Sequence, residues 1–237
     1  MARGTTLGIL INDLRSEIGH SLEPSLGKST RDVLGNVIQR NQRRLWDDYA
    51  WPFLRVQRDI TISAGQRYYN LPSDIVFERI ERVEFKHGDY WEKIEYGVGA
   101  AQYNQHDSDR DVRSYPIRRY DSHENNQIEV WPIPTENSDT TTKQGMLRFH
   151  GIRNLGGLIQ ETDTADLDDQ LIILYSAAEM LARQKQADAQ NKLAQAQAHY
   201  SRLKARLAKT ETFVIGGGEP EGMYRPKGPP LIATTGS

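Results

Sequence analysis

The chain has 237 residues, a formal net charge of −2 and no cysteine. The length allows one large domain or two small ones. Lack of thiols excludes disulfides, thiolate metal sites and a cysteine nucleophile, and near-neutrality excludes the global basicity of many nucleic-acid binders.

Thr5 or Thr6 can cap a first helix, since a hydroxyl there accepts from an otherwise orphan amide. Leu7, Ile9, Leu10, Leu14 and Ile18 continue it as an apolar stripe, and Gly19 ends it. Ser29, with Asp32 three residues on, caps a second helix carrying Val33, Val37, Ile38, Leu45, Trp46 and Tyr49. That helix stops at Trp51-Pro52, because a residue before proline is pushed out of the α region.

From Val56 the apolar period changes to two. Ile60 and Ile62 alternate with polar neighbours, Ala64-Gly65-Gln66 turns, and Arg67–Asn70 returns, which predicts a hairpin. Leu71-Pro72-Ser73-Asp74 is a loop. Ile75–Lys86 is a strand, and Tyr90–Tyr96 pairs back on it. Gly97–His106 holds a short helix, and Asp107–Arg113 loops out. Tyr115–Tyr120, Gln127–Trp131 and Met146–Ile152 complete an antiparallel middle of about six or seven strands.

Asp166 to about Lys209 reads as one near-continuous helix, acidic at its start and basic at its end, as the helix dipole favours. Leu167, Leu171, Leu174, Ala178 and Leu181 stripe its first half. Leu193, Ala196, Tyr200, Leu203 and Leu207 stripe the second. Unbroken, it would reach ~60 Å and project from the body. The predicted class is α+β. Its parts are a helical 1–55, a β-rich 56–160, a long helix 161–209 packed on 1–55, and an extended arm 210–237. Gly216, Gly217, Gly218 and prolines 220, 226, 229 and 230 make the arm too poor in apolar surface to order itself. Contacts with neighbouring chains are expected to hold it.

Chemistry-bearing patterns are sparse. The histidines His20, His87, His106, His123, His150 and His199 lack metal-ligand spacing. His106-Asp107-Ser108-Asp109 with Asp111 lacks the glycine and glutamate of a calcium loop. Gly97-Val98-Gly99 lacks the third glycine of a phosphate cradle, and Gly216-Gly217-Gly218 opens no helix. No nucleophile elbow is present. Asp47 and Asp48, or Glu78, Glu81 and Glu84, read as charged surface, although two acids converging in space would make a glycan hydrolase. No cofactor, metal or catalytic residue is expected.

The basic residues carry more. Arg183, Lys185, Lys192, Arg202, Lys204, Arg206 and Lys209 face one acid, Asp188, over the same span. They read as a solvated helix face or as contact with an acidic partner or DNA backbone. Arg40, Arg43, Arg44, Arg55 and Arg58 flank the second helix. Without interleaved aromatics or a recognition helix, any DNA contact would be non-specific. Phe213-Val214-Ile215 is a β-prone apolar triplet suited to a sheet edge or groove. Trp51, Pro52, Phe53 and Leu54 form a helix-to-strand junction, and Leu71 and Pro72 fix entry to the next strand.

Tyr49-Ala50-Trp51-Pro52-Phe53-Leu54, the turn with Gly65 and Tyr69, and Leu71-Pro72-Ser73-Asp74 ahead of Ile80 form an ordered series. It resembles the head-to-tail adaptor proteins of tailed bacteriophages, the group that includes the tail tubular A type. The local match runs from about Val33 to Val83; the late helix and arm agree in layout only. The resemblance implies a homo-oligomeric ring, usually a dodecamer, beneath the portal protein, assembled in the host cytoplasm into the virion. It implies helices around a channel that passes double-stranded DNA, and a β part facing a tail nozzle or tubular protein. It implies an arm reaching the portal through Phe213, Val214, Ile215, Tyr224, Leu231 and Ile232. No membrane partner is expected. A cell-wall glycan hydrolase acting during entry is the alternative.

Overall fold

The computed structural model describes residues 3–20 and 28–208. Among these are the helices α1 (Leu7–Glu17), α2 (Lys28–Asp48), α3 (Ala100–Gln105), α4 (Asp169–Arg183) and α5 (Ala189–Leu207). The strands are β1 (Arg55–Ile60), β2 (Tyr68–Asn70), β3 (Ile75–His87), β4 (Tyr90–Lys93), β5 (Glu95–Tyr96), β6 (Arg119–His123), β7 (Gln127–Trp131) and β8 (Leu147–Arg153). The class is α+β, as the sequence predicts, with helices before and after a β-rich middle.

The helices share one core built on Leu10, Leu14, Leu34, Ile38, Leu45, Leu171 and Ile172. α4 lies at its centre, packed by α1, α2 and α5, so residues 171–178 are all buried. Asp168 caps α4, accepting from the Leu171 N–H at 3.0 Å. Thr6 occupies the cap position of α1 without a side-chain hydrogen bond. Ser29 is not the cap of α2, which begins one residue earlier at Lys28.

Two four-stranded sheets occupy the middle, in the orders β1-β8-β3-β4 and β2-β7-β6-β5. They share a second core that includes Val83, Phe85, Leu147 and Phe149 from the first and Tyr69, Ile128, Val130 and Tyr120 from the second. Pairing is antiparallel except for β5 with β6. At the bulge in β3, Gly151 of β8 comes so close that a Cβ there would lie 2.8 Å from the Arg79 carbonyl oxygen. Only glycine fits that approach.

The predicted hairpin across Gly65 does not form. Ile60 pairs with Leu147 and Tyr69 with Ile128, so β1 and β2 enter different sheets. The turn exists locally, with Gly65 at φ 77. After β1, however, Ile62 exchanges hydrogen bonds with Ser138 instead of with β2. The final predicted strands shift as well. β6 begins at Arg119 and not at Tyr115, since Pro116 has no N–H for a ladder, and β4 and β5 divide the expected Tyr90–Tyr96 strand between the two sheets.

The long terminal helix is two helices. Gln184–Asp188 breaks it, and α5 folds back along α4 instead of projecting. Lys185 adopts φ 54, its N–H donates to Ala182 O at 3.0 Å, and the Gln186 N–H donates to Leu181 O at 3.0 Å. This is a Schellman stop with lysine where glycine is usual.

On the outer face of the first sheet, Arg148 grips Asp59 with two hydrogen bonds of 2.7 and 2.9 Å. Lys143 adds a third at 3.1 Å, and the Arg148 guanidinium lies 3.6 Å from the Trp91 ring centre. β1, β8 and β4 are thus cross-linked by one side chain. The Arg148 hydrogen bonds hold the Asp59 carboxyl below its ordinary value of 3.8. A depressed folded pKa stabilises fully above the unfolded value and is lost as pH falls through the folded one. Asp59→Asn should therefore lower the unfolding free energy at pH 7, by about 1.5–3 kcal/mol. Its deficit relative to wild type should shrink as pH drops below 3.8, as chemical denaturation across that range will show.

Candidate assembly interface

The junction residues do not form one cluster. Trp51 is wholly buried and Leu54 nearly so, both in the helical core, whereas Leu71 belongs to the core between the sheets. Trp51 Nε1 donates to Leu45 O at 2.8 Å. Its ring meets Tyr49, Phe53 and, 6.1 Å away on α5, Tyr200. Pro52 opens a short 3-10 turn, and Arg3 covers the Phe53 ring at 3.9 Å. Pro72 O accepts from the Ile75 N–H at 3.0 Å. Trp51 thus locks the end of α2 to α5. Helices and sheet are joined as well by Trp46, whose Nε1 donates to Arg153 O at 3.1 Å. Arg79 stacks 4.3 Å from the Trp46 ring and donates to the carbonyls of Trp46 and Asp47. An arginine in a strand gives no sequence sign that it will reach a helix end.

The fold disperses the six basic residues. Arg183 pairs with Glu179 at 2.7 Å, an acid shared with Arg40. Lys185 sits exposed in the turn. Lys192 is bonded to Glu17 of α1. Lys204 points the other way, its ammonium 4.9 Å from the Tyr49 and Tyr200 ring centres. Arg202 donates to Ala198 O within its own helix at 3.2 Å, and no acid of the described residues pairs with it or with Arg206. The turn residues and the Arg202–Arg206 edge lie toward opposite ends of α5, about 20–27 Å apart at 1.5 Å per residue.

Two depressions flank α4 at the exposed Gln170 and the buried Leu174, which line both. The one toward α5, about 290 Å³, is lined by Gln195, His199, Arg202 and Arg206. The one toward α1, about 380 Å³, is lined by Thr5, Asp13, Ser16, Glu17 and Asp169. His199 Nε2 lies 2.8 Å from Asp168 Oδ1, which fixes the α5 wall to the start of α4. The surface is thus basic on one side of α4 and acidic on the other. Sequence reading found the arginines and missed the acids, because α1 ends at Glu17 and α4 begins at Asp169, 152 positions later in the chain.

Other charged patterns are internal ties. Asp109 pairs with Arg67 at 2.6 Å and Asp111 with Arg113, while Asp107 accepts from the Asp109 N–H. Among the described residues no group of three or more His, Cys, Asp or Glu could hold a metal ion, and no helix is long and apolar enough to cross a membrane. The carboxyls with displaced titration all move down: Asp59 through Arg148, Asp111 through Arg113, Asp139 through the Thr142 hydroxyl, and Asp163 through the Gln160 N–H. The arm residues Phe213, Val214, Ile215, Tyr224, Leu231 and Ile232 lie outside the described residues.

A protein-family model, that of the SU10 adaptor protein, matches residues 5–216. The chain belongs to the SU10 adaptor family and is a phage adaptor, a structural part of the virion that interacts with head and tail components. No curated protein matches it.

The burial of Trp51 makes it the most sensitive of the predicted residues. Trp51→Ala should destabilise the protein by about 3–5 kcal/mol, measured by denaturant unfolding, with tyrosine fluorescence of the Tyr49 and Tyr200 neighbourhood changing alongside.

Proposed function

We propose that this adaptor forms a homo-oligomeric ring, a dodecamer in the tail tubular A layout, joining the portal protein above to a tail nozzle or tubular protein below. In this reading the helical part, 1–55 with 161–209, surrounds the DNA exit channel. The β part, 56–160, meets the tail, and the arm, 210–237, reaches the portal through Phe213–Ile215, Tyr224, Leu231 and Ile232. Family membership across residues 5–216 is the observation that carries it. The charge distribution supports it: α5 contains no aspartate or glutamate over its 19 residues, so a polyanion passing nearby meets no fixed negative charge from that helix. No observation favours the glycan hydrolase.

Removal of residues 210–237 should abolish attachment to heads that carry portal but lack adaptor, while the far-ultraviolet circular dichroism of the free protein stays helical and sheet-like. Sedimentation with such heads is the assay; attachment by the truncated chain would overturn the arm's role. Any binding of assembled protein to duplex DNA should be sequence-blind and weaken with salt, with a log–log slope of about −0.9 per phosphate neutralised. Binding that withstands salt would contradict passive passage.

A further inference from the structure

The two sides of α4 are complementary to each other, and each is left incomplete within one copy. Asp169 is 5% exposed. Its Oδ2 accepts from the Thr5 hydroxyl, yet its Oδ1 is buried without a hydrogen-bond partner. A buried carboxylate oxygen with no donor is rare and calls for a partner. It lines the depression toward α1, beside Asp13 and Glu17. Glu17 is answered by Lys192; Asp13 has no ion pair among the described residues. Across the ridge at Gln170 and Leu174, Arg202 and Arg206 project from a helix without a single acid, and neither has an ionic partner among the described residues.

The positions beside these arginines are small. Ala198, Ser201 and Ala205 are all exposed, and their i, i+3, i+7 spacing puts them on one face of α5. That face can approach another helix closely, carrying the arginines with it. A guanidinium supplies up to five donors in a planar fork and is the cation best suited to a buried carboxylate.

We propose that the acidic depression between α1 and α4 receives the Arg202–Arg206 edge of α5 from a second copy of this chain, so that copies join head to tail. The contact is heterologous: the α1 edge of one copy meets the α5 edge of the next, and repetition closes a ring or extends a filament. Both halves of the complement are present on this one chain, which is why the occupant is another copy. Duplex DNA would satisfy the arginines but would leave Asp169 Oδ1 unanswered and would be repelled by Asp13 and Glu17. The inference deepens the ring reading above, and rests on it only in requiring several copies per assembly.

The absence of cysteine from the chain makes cross-linking specific. The full-length protein carrying Ser16→Cys together with Ala205→Cys, assembled alone at high concentration or onto adaptor-deficient heads, is treated with a short bismaleimide. The expected product is a ladder of trimers and larger species. Adding Arg202→Glu with Arg206→Glu should cut the ladder at least about tenfold through like-charge repulsion, while circular dichroism stays unchanged. Asp13→Arg on that background should restore part of it. The proposal is overturned if products stop at dimers, the mark of a two-fold contact. It is also overturned if the charge-reversed protein cross-links like wild type. Loss of DNA binding in the reversed variant with multimers intact would assign the arginines to DNA instead. Multimers without any cross-link would discard this interface and leave the ring standing; no multimer under either condition would discard both.

Discussion

The reversal of direction at Lys185 governs the helical half of the molecule. With lysine held at φ 54 and the Schellman hydrogen bonds closed behind it, α5 returns along α4. Only then can Tyr200 reach Trp51, His199 reach Asp168 and Lys192 reach Glu17. A straight helix would leave all three partners empty and would expose Leu203, which is 1% exposed in the folded chain. Tertiary burial of that apolar stripe offsets the cost, about 1–2 kcal/mol, of placing a non-glycine residue in left-handed geometry.

The same reversal shapes the charged surface along α4. It places a helix free of carboxylates on one flank of α4 and leaves the acids of α1 on the other. Because α4 is central and covered on its remaining sides, only a narrow ridge at Gln170 and Leu174 separates the opposite charges. Paired charges elsewhere act as rivets: Asp59 with Arg148 across the sheet, Arg153 with Asp166 at 2.5 Å where the sheet meets the last helices, Arg79 against the end of α2. Arg202 and Arg206, exposed on α5, have no such ion pair among the described residues.

Sequence periodicity located the elements well and their partners poorly. The apolar stripes of α1, α2, α4 and α5, the β7 boundaries and the short α3 were legible because each depends on local spacing. The β1–β2 hairpin failed because turn chemistry at Ala64-Gly65 reports that the chain turns, not which strand waits on the other side. That choice was made by Leu147 and Ile128, about 60–90 residues away, through burial. The break between α4 and α5 was missed because its stop residue is lysine, and helix propensity at Arg183–Gln186 reads as continuous. Of the site, the arginines were visible as part of a basic run facing a single acid, Asp188. The depression they complement was invisible, since it assembles from α1 and α4 and depends on a single unpaired carboxylate oxygen.

Joining of adjacent copies through the α1–α4 depression and the basic edge of α5 can be seen by imaging the adaptor layer in intact particles, at a resolution that places side chains. A guanidinium nitrogen of Arg202 or Arg206 is expected within about 4 Å of the neighbouring Asp169 carboxylate, repeated around the layer. Arginines turned into the lumen toward DNA, with Asp169 facing only its own chain, would contradict it.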